Sequence, residues 1–397
     1  MSAFSIESSS DRCPKSKVRV GMLVGSVSMS SNGVSEAVHS LALALRRIPD
    51  VSVDIFTLGE PGAESRNFGD ISVHFAKKYE AGSFGYAPDL GRLLTQHPVD
   101  LLHVHGLWMY QSIAALNWAA RTGRPYVVSP HGMLDPWALN NSRWKKRIAR
   151  VLFENGHLNG AKFVHALCEA ERIAIERAGI VAPTVILPNG VHRPRRICGR
   201  APWRESLGDE VKVVLFLGRV TPKKRVVELV RAWRRARGPL CPWHLVIVGP
   251  TEPSYAAELS ACLNEAGSDG SVHLVGPAYG DARGLAYASA NAFILPSVSE
   301  GLPMAALEAF AAGLPALLTR QCNLPQSFDF GCALEISASE QGIEQGLRRL
   351  FQLTTTERLV MGEKAAQLVT DHFNWDLISR RFSNLYSTLI HTTPAAN

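Results

Sequence analysis

Short apolar runs recur along the chain, and most end in a glycine-, serine- or histidine-bearing loop. "KVRVGMLVG" (17–25) predicts a buried strand that stops at Gly25. Beyond the small-residue loop "SVSMSSNG", apolar positions fall at Val34, Val38, Leu41, Ala42 and Leu45, a helical period. "VSVDIFTL" alternates as a strand. "VDLLHVHG", "RPYVVSPHG", "AKFVHAL" and "PTVILPNG" predict further short strands, with helical segments between them. Strands alternating with helices in this way predict a parallel sheet covered on both faces.

The pattern pauses over 193–210, a polar, basic, Pro-containing stretch with the character of a linker. It then resumes with "VKVVLFLGR", "WHLVIVG", "VHLVG", "NAFILPS" and "PALLTR", each followed by a helical or loop segment. The expected organisation is therefore a disordered polar leader (1–16), a first α/β domain (17–192), a linker (193–210) and a second α/β domain (211–373). A C-terminal helix (374–397) bearing Trp375, Leu377, Ile378, Phe382, Leu385 and Leu389 is expected to pack back on the first domain. Open α/β sheets bind ligands beyond the carboxyl ends of their strands, so the residues just after strands carry the chemistry.

Composition narrows the classes. A chain of 397 residues with 46% hydrophobic content has room for two cores. The seven cysteines are scattered without a CxxC pair, which argues against a disulfide framework or a zinc site. The N-terminal residues lack an apolar run, and no stretch of about 18 uncharged apolar residues occurs, so neither a secretory signal nor a spanning helix is expected. The net charge of +7 suits an anionic ligand or an anionic membrane surface. Nucleic acid has only that charge in its favour and is not expected as a partner.

Two strand ends stand out. After "VVLFLG" come Arg219, Lys223, Lys224 and Arg225, a concentration of cations suited to a phosphate. After "NAFILPS" comes "VSEGLPMAALEAFAAG", in which Pro303 is expected to open a helix that Gly313 closes. The N–H groups of Gly301, Leu302 and Met304 and the helix dipole make this end an anion site. Glu300 lies in the loop. Glu308 lies in an otherwise apolar helix, where a carboxylate suits a pair of ribose hydroxyls.

These residues resemble those of the retaining glycosyltransferases of the GT-B fold, in the large family four group. The shared marks are "PSVSEGLPMAALEA", with Glu300 and Glu308 in register, and Gly-Arg-x4-Lys on Arg219 and Lys224. "LPNGV" (187–191) and the glycine loop at Gly33 agree, and so does "VSPHG", which places His131 after a strand. The resemblance implies two Rossmann-like domains facing across a cleft. It also implies transfer of a sugar, with retention, from a nucleoside diphosphate to an acceptor hydroxyl. Arg219 and Lys224 would neutralise the diphosphate and Glu300 would orient the donor sugar, with His131 near it. Gly33, Gly301, Leu302, Met304 and Glu308 would bind the donor. Pro303 departs from a glycine common in relatives, and Cys168 from a common serine; the thiol is expected to pack.

No DxD triplet follows a strand and no His/Asp grouping has ligand spacing, so neither a metal nor another cofactor is expected. In "WALNNSRWKKRIARVLFENGHL", Trp137, Trp144 and Ile148 accompany Arg143, Lys145, Lys146, Arg147 and Arg150. That mixture suits an anionic bilayer surface. It is similar to segments of bacterial relatives that build surface polysaccharides on lipid carriers. The expected acceptor is thus a lipid-linked glycan or polysaccharide precursor, and the expected place is the cytoplasm, with peripheral attachment to the inner face of the cell membrane. A nucleotide-sugar epimerase of the same fold is the alternative; it would need no acceptor.

Overall fold

The computed structural model describes residues 17–28, 33–62, 66–79, 82–140, 142–192, 199–238, 241–265 and 270–392. The expected leader, Asn32 of the glycine loop and residues 193–198 of the expected linker lie outside them.

Strands β1 (Val18–Val24), β2 (Val51–Leu58), β3 (Ser72–Ala76), β4 (Leu101–His105), β5 (Tyr126–Ser129), β6 (Val164–Ala166) and β7 (Thr184–Ile186) form one sheet in the order β3-β2-β1-β4-β5-β6-β7. Strands β8 (Lys212–Leu217), β9 (Trp243–Val248), β10 (Val272–Gly276), β11 (Ala292–Leu295), β12 (Ala316–Thr319) and β13 (Ala333–Ile336) form a second, ordered β10-β9-β8-β11-β12-β13. Pairing is parallel, with Ala292 opposite Val214 and Phe293 opposite Leu215 where β11 meets β8. The inner strands are buried on both faces, which is why their sequences are continuous apolar runs. The edge strands β3 and β13, with partly exposed polar positions, were not among the expected strands.

The chain divides into two compact units. One holds the residues up to Ser129, Ala149–Phe163 and the tail from Ser379; the other holds Pro130–Ile148 and Val164–Ile378. Residues after the ends of β5, β6 and β7 bond within the second unit. Val191 N–H, for example, donates to the Phe373 carbonyl at 2.6 Å. The expected linker is also not free of structure: Pro202–Leu207 is helical, opened by Pro202 and followed by Gly208 at φ 77°.

In the first unit, the helix Gly33–Arg46 buries Val38, Leu41, Ala42 and Leu45 as its period requires. The helix Trp375–Thr392 brings its Tyr386 hydroxyl to Nδ1 of buried His103 at 2.7 Å, while His103 Nε2 meets Ser129 Oγ at 2.6 Å. His105 is buried too, its ring 3.9 Å from that of His103. Both histidines serve packing.

In the second unit the strand order reverses between β8 and β11. Ligands of open α/β sheets bind at such a switch point. The two strand ends singled out by their chemistry are therefore neighbours. Backbones touch beside them: a Cβ on Gly249, at φ 150°, would lie 1.9 Å from the Gly218 carbonyl oxygen, so only glycine fits just after β9.

Candidate functional site

The site is assembled wholly within the second unit. After β8 the chain turns through Gly218 and Arg219 into a 3₁₀ turn, Pro222–Lys224. Arg225 then takes a left-handed conformation, φ 56°, and launches the helix Val226–Ala236. Arg219 is exposed. Lys224 Nζ forms an ion pair with Glu300 Oε1, and the two side chains are only 14% and 8% exposed. Two groups expected to act on different parts of one donor are thus joined to each other.

The loop that carries Glu300 is pinned on both sides. Val298 N–H donates to the Lys223 carbonyl at 2.9 Å, and Glu300 N–H to the Gln321 carbonyl at 3.1 Å. Asn323, at φ 57°, donates its Nδ2 to the carbonyls of Glu300 (2.6 Å) and Gly301 (3.0 Å). The following helix is Met304–Ala311, with Pro303 as its cap and no side chain capping it. Pro303 was expected to be the first helical residue. Its ψ of 97° leaves it outside, and Met304 contributes the first N–H. The Pro303 carbonyl accepts from Ala306 N–H at 3.0 Å, so the helix bonding begins at Ala306 and the N–H groups of Met304 and Ala305 precede it. Leu302 is nearly buried, and Met304 packs against the core.

Glu308, on the helix that follows, is held by two side chains of the helix Gly280–Ala288. Arg283 Nη2 lies 2.9 Å from its Oε1, and the Tyr287 hydroxyl donates to its Oε2 at 2.9 Å. Burial and that neighbouring carboxylate push the Tyr287 phenol well above its ordinary pKa, so it stays a donor. Glu308 is thus a held, partly exposed carboxylate. Each of its oxygens has further acceptor capacity.

Glu300 and Gly301 line a cavity of about 140 Å³ together with His131, Gly132, Asp135, Trp137, Glu171, Lys223 and Asn323. Arg219, Lys224 and Glu308 are not in that lining, and Gly33 opens a helix of the first unit. His131 sits in a left-handed turn, φ 53°, after β5. Burial, with His165 close by, pushes its pKa down to about 3, so the imidazole is neutral and serves as a hydrogen-bonding group.

A residue distant in sequence holds that turn. Glu171, 5% exposed, accepts from Gly132 N–H at 2.6 Å and from Leu167 N–H at 2.7 Å. It ties the loop after β5 to the loop after β6. Burial raises its pKa, with the two N–H bonds opposing. In "CEAER" Glu171 has the pattern of any surface glutamate, and Asn323 carries no motif, so nothing local in the sequence marks either residue. In sequence Lys223 is one member of the cation group after β8. Its Nζ lies 5.3 Å from the centroid of Trp137, and burial lowers its pKa. The Cys168 thiol contacts the Gly301 carbonyl at 3.6 Å, and burial raises its pKa, which agrees with packing.

Comparisons with known proteins identify the two domains. Residues 32–190 match the glycosyl transferase 4-like domain and residues 211–352 the glycosyl transferases group 1 domain. A GDP-mannose:cellobiosyl-diphosphopolyprenol alpha-mannosyltransferase of Komagataeibacter xylinus is 23% identical, with 93% of each chain covered. A lipopolysaccharide 1,2-N-acetylglucosaminetransferase of Salmonella typhimurium is 27% identical over 45% of this chain and 48% of its own. Among solved structures, sucrose-phosphate synthase of Thermosynechococcus elongatus superposes with a TM-score of 0.77 at 17% identity, covering 94% of this chain and 100% of that one. Anabaena HepE in complex with UDP and glucose gives 0.74 at 19% identity, with the same coverage. Two parallel Rossmann-like sheets and both matched domains place the chain in the GT-B glycosyltransferases, as an enzyme of the family four type.

Proposed function

We propose that this enzyme transfers a sugar, with retention and without a metal, from a nucleoside diphosphate to a hydroxyl of a lipid-linked or polysaccharide-precursor glycan. The observation that carries this reading is the convergence of Lys224, Glu300 and an uncapped helix start at the switch point of the second sheet. Arg219, Lys224 and the N–H groups of Gly301, Leu302 and Met304 stabilise the charge that develops on the departing diphosphate. Glu300 and neutral His131 hold hydroxyls of the donor sugar. Glu308, held by Tyr287 and Arg283, takes the ribose hydroxyls. The bond from the anomeric carbon to the phosphate oxygen breaks, the acceptor oxygen bonds on the same face, and the departing phosphate takes the acceptor proton.

Among the described residues no group of three or more His, Cys, Asp or Glu could hold a metal ion, and the site's own cations supply the charge that a metal would. The deciding experiment incubates the enzyme with UDP-, GDP- and ADP-sugars and lipid-linked acceptors, and reads nucleotide release and glycan product with and without EDTA. Acceptor-dependent release from one donor that persists in EDTA, with an unchanged anomeric configuration, is expected. Loss of activity in EDTA restored by Mg²⁺ overturns metal independence. Epimerised sugar formed from donor alone overturns the transfer reading.

The acceptor reading draws on the surface. No helix among the described residues is long and apolar enough to cross a membrane. The continuous helical run from Arg143 through the π-helical turn Arg150–Glu154 nevertheless exposes Trp144, Ile148, Val151 and Leu152, at 66, 51, 79 and 74%. Trp144 and Ile148, four positions apart, share one face of Arg143–Ala149, with Arg143, Lys145 and Arg147 beside them, and Val151 and Leu152 add exposed apolar surface on the turn that follows. Such a helix lies in the plane of an anionic interface. The enzyme should float with phosphatidylglycerol vesicles, less so in high salt, and the exposed-site double substitution Trp144→Ser, Leu152→Ser should leave it in the soluble fraction. Equal flotation of that variant would remove this apolar surface from the attachment.

A further inference from the structure

Trp137 belongs by sequence to the same cluster as Trp144 and Ile148, but the fold separates it from their helix. It lies on its own short helix, Pro136–Asn140. It is 57% exposed, yet it lines the cavity that holds Glu300 and His131. Two contacts fix its neighbourhood. The Lys223 ammonium sits 5.3 Å from its ring centroid, and its backbone N–H donates to Asp135 Oδ1 at 2.8 Å. Asp135 lines the same cavity.

We propose that Trp137 is the stacking platform for the sugar of the acceptor glycan, with the Asp135 carboxylate receiving that sugar's hydroxyls beside it. The inference rests on the glycosyltransferase reading and adds its acceptor subsite. An indole face carries negative potential, which draws a cation such as Lys223 and equally the polarised C–H face of a pyranose. A carboxylate accepts hydroxyl donors strongly. An aromatic face and an acid at one cavity wall thus match a sugar ring. The nucleoside is assigned elsewhere: Glu308, the ribose candidate, lies outside this lining, and Glu300, the donor-sugar candidate, lies within it. A sugar on Trp137 would therefore meet the transferred sugar rather than the base.

The test titrates alkyl glycosides (glucoside, mannoside, galactoside and cellobioside) into enzyme saturated in parallel with UDP and with GDP, following tryptophan fluorescence. At least one glycoside should quench the wild type. Trp137→Phe should lose that quenching, and Asp135→Asn should weaken glycoside binding about tenfold. Trp144→Phe should keep it. Nucleoside diphosphate affinity by calorimetry should stay within twofold for Trp137→Ala. No quenching of the wild type by any glycoside overturns the proposal. So does a tenfold loss of diphosphate affinity in Trp137→Ala, which would make the ring a base platform, and so does loss of vesicle flotation in that variant, which would make it a lipid anchor. Failure of the glycosyltransferase reading shows separately, as a wild type that releases nucleotide from no donor sugar.

Discussion

Glu300→Gln should reduce turnover by about two to four orders of magnitude while binding of the nucleoside diphosphate survives or tightens. The first half follows from what the carboxylate is placed to do. A group preorganised against the reacting sugar is worth roughly 10²–10⁴ in rate. The second half follows from the ion pair. Glu300 and Lys224 are joined and mostly buried, so the lysine's charge is already compensated before a donor arrives. Removing one partner of a buried pair leaves the other uncompensated, at a cost of about 3–5 kcal/mol in the unliganded protein. A diphosphate that restores the compensation recovers part of that cost, so its affinity rises as the free protein's stability falls. Calorimetric titration with UDP and GDP, beside initial rates and a thermal melt, separates the two halves. A variant with near wild-type turnover would remove Glu300 from the chemistry. A variant that no longer binds diphosphate would mean that the pair does not serve the phosphate.

Glu171→Ala should destabilise the second unit by about 2–6 kcal/mol and lower activity although it removes no group assigned to the substrates. Its two oxygens satisfy two backbone N–H groups, on Gly132 and Leu167. Each donor left without a partner in a buried place costs about 1–3 kcal/mol. Gln in its place should be intermediate, since its one carbonyl oxygen accepts and its amide nitrogen opposes the second N–H. The turn it holds carries His131 in a left-handed conformation, which a non-glycine residue keeps only when its surroundings impose it. Urea unfolding should show the stability loss. The rate should fall further than the folded fraction accounts for, because His131 loses its fixed position. A variant with wild-type stability would mean that other groups hold these loops.

The amino-acid sequence by itself determined the fold class and the polar strand ends. Apolar runs such as "VVLFLG" and "NAFILP" are strands because only a sheet covered on both faces hides them. Arg219, Lys224, Glu300 and Glu308 stand out because charge beside such runs has no packing use. Local patterns were weaker where a strand has a neighbour on one side only, as in β3 and β13, since an edge tolerates polar residues and shortens the apolar signal. The start of the helix after Glu300 moved by one residue, because Pro303 takes ψ 97° and caps it from outside.

What only the tertiary structure decided is which distant residues share a partner. Lys224 meets Glu300 across 76 positions of sequence because β8 and β11 are neighbours at the sheet's reversal, and strand order is a property of the whole fold. Asn323 reaches the Glu300 loop, and Glu171 joins two loops, through backbone groups that every residue possesses, so no side-chain pattern marks them. Trp137 parts from Trp144 for the same reason: helix period orders residues along one element, while the direction of a separate short helix is set by what it packs against.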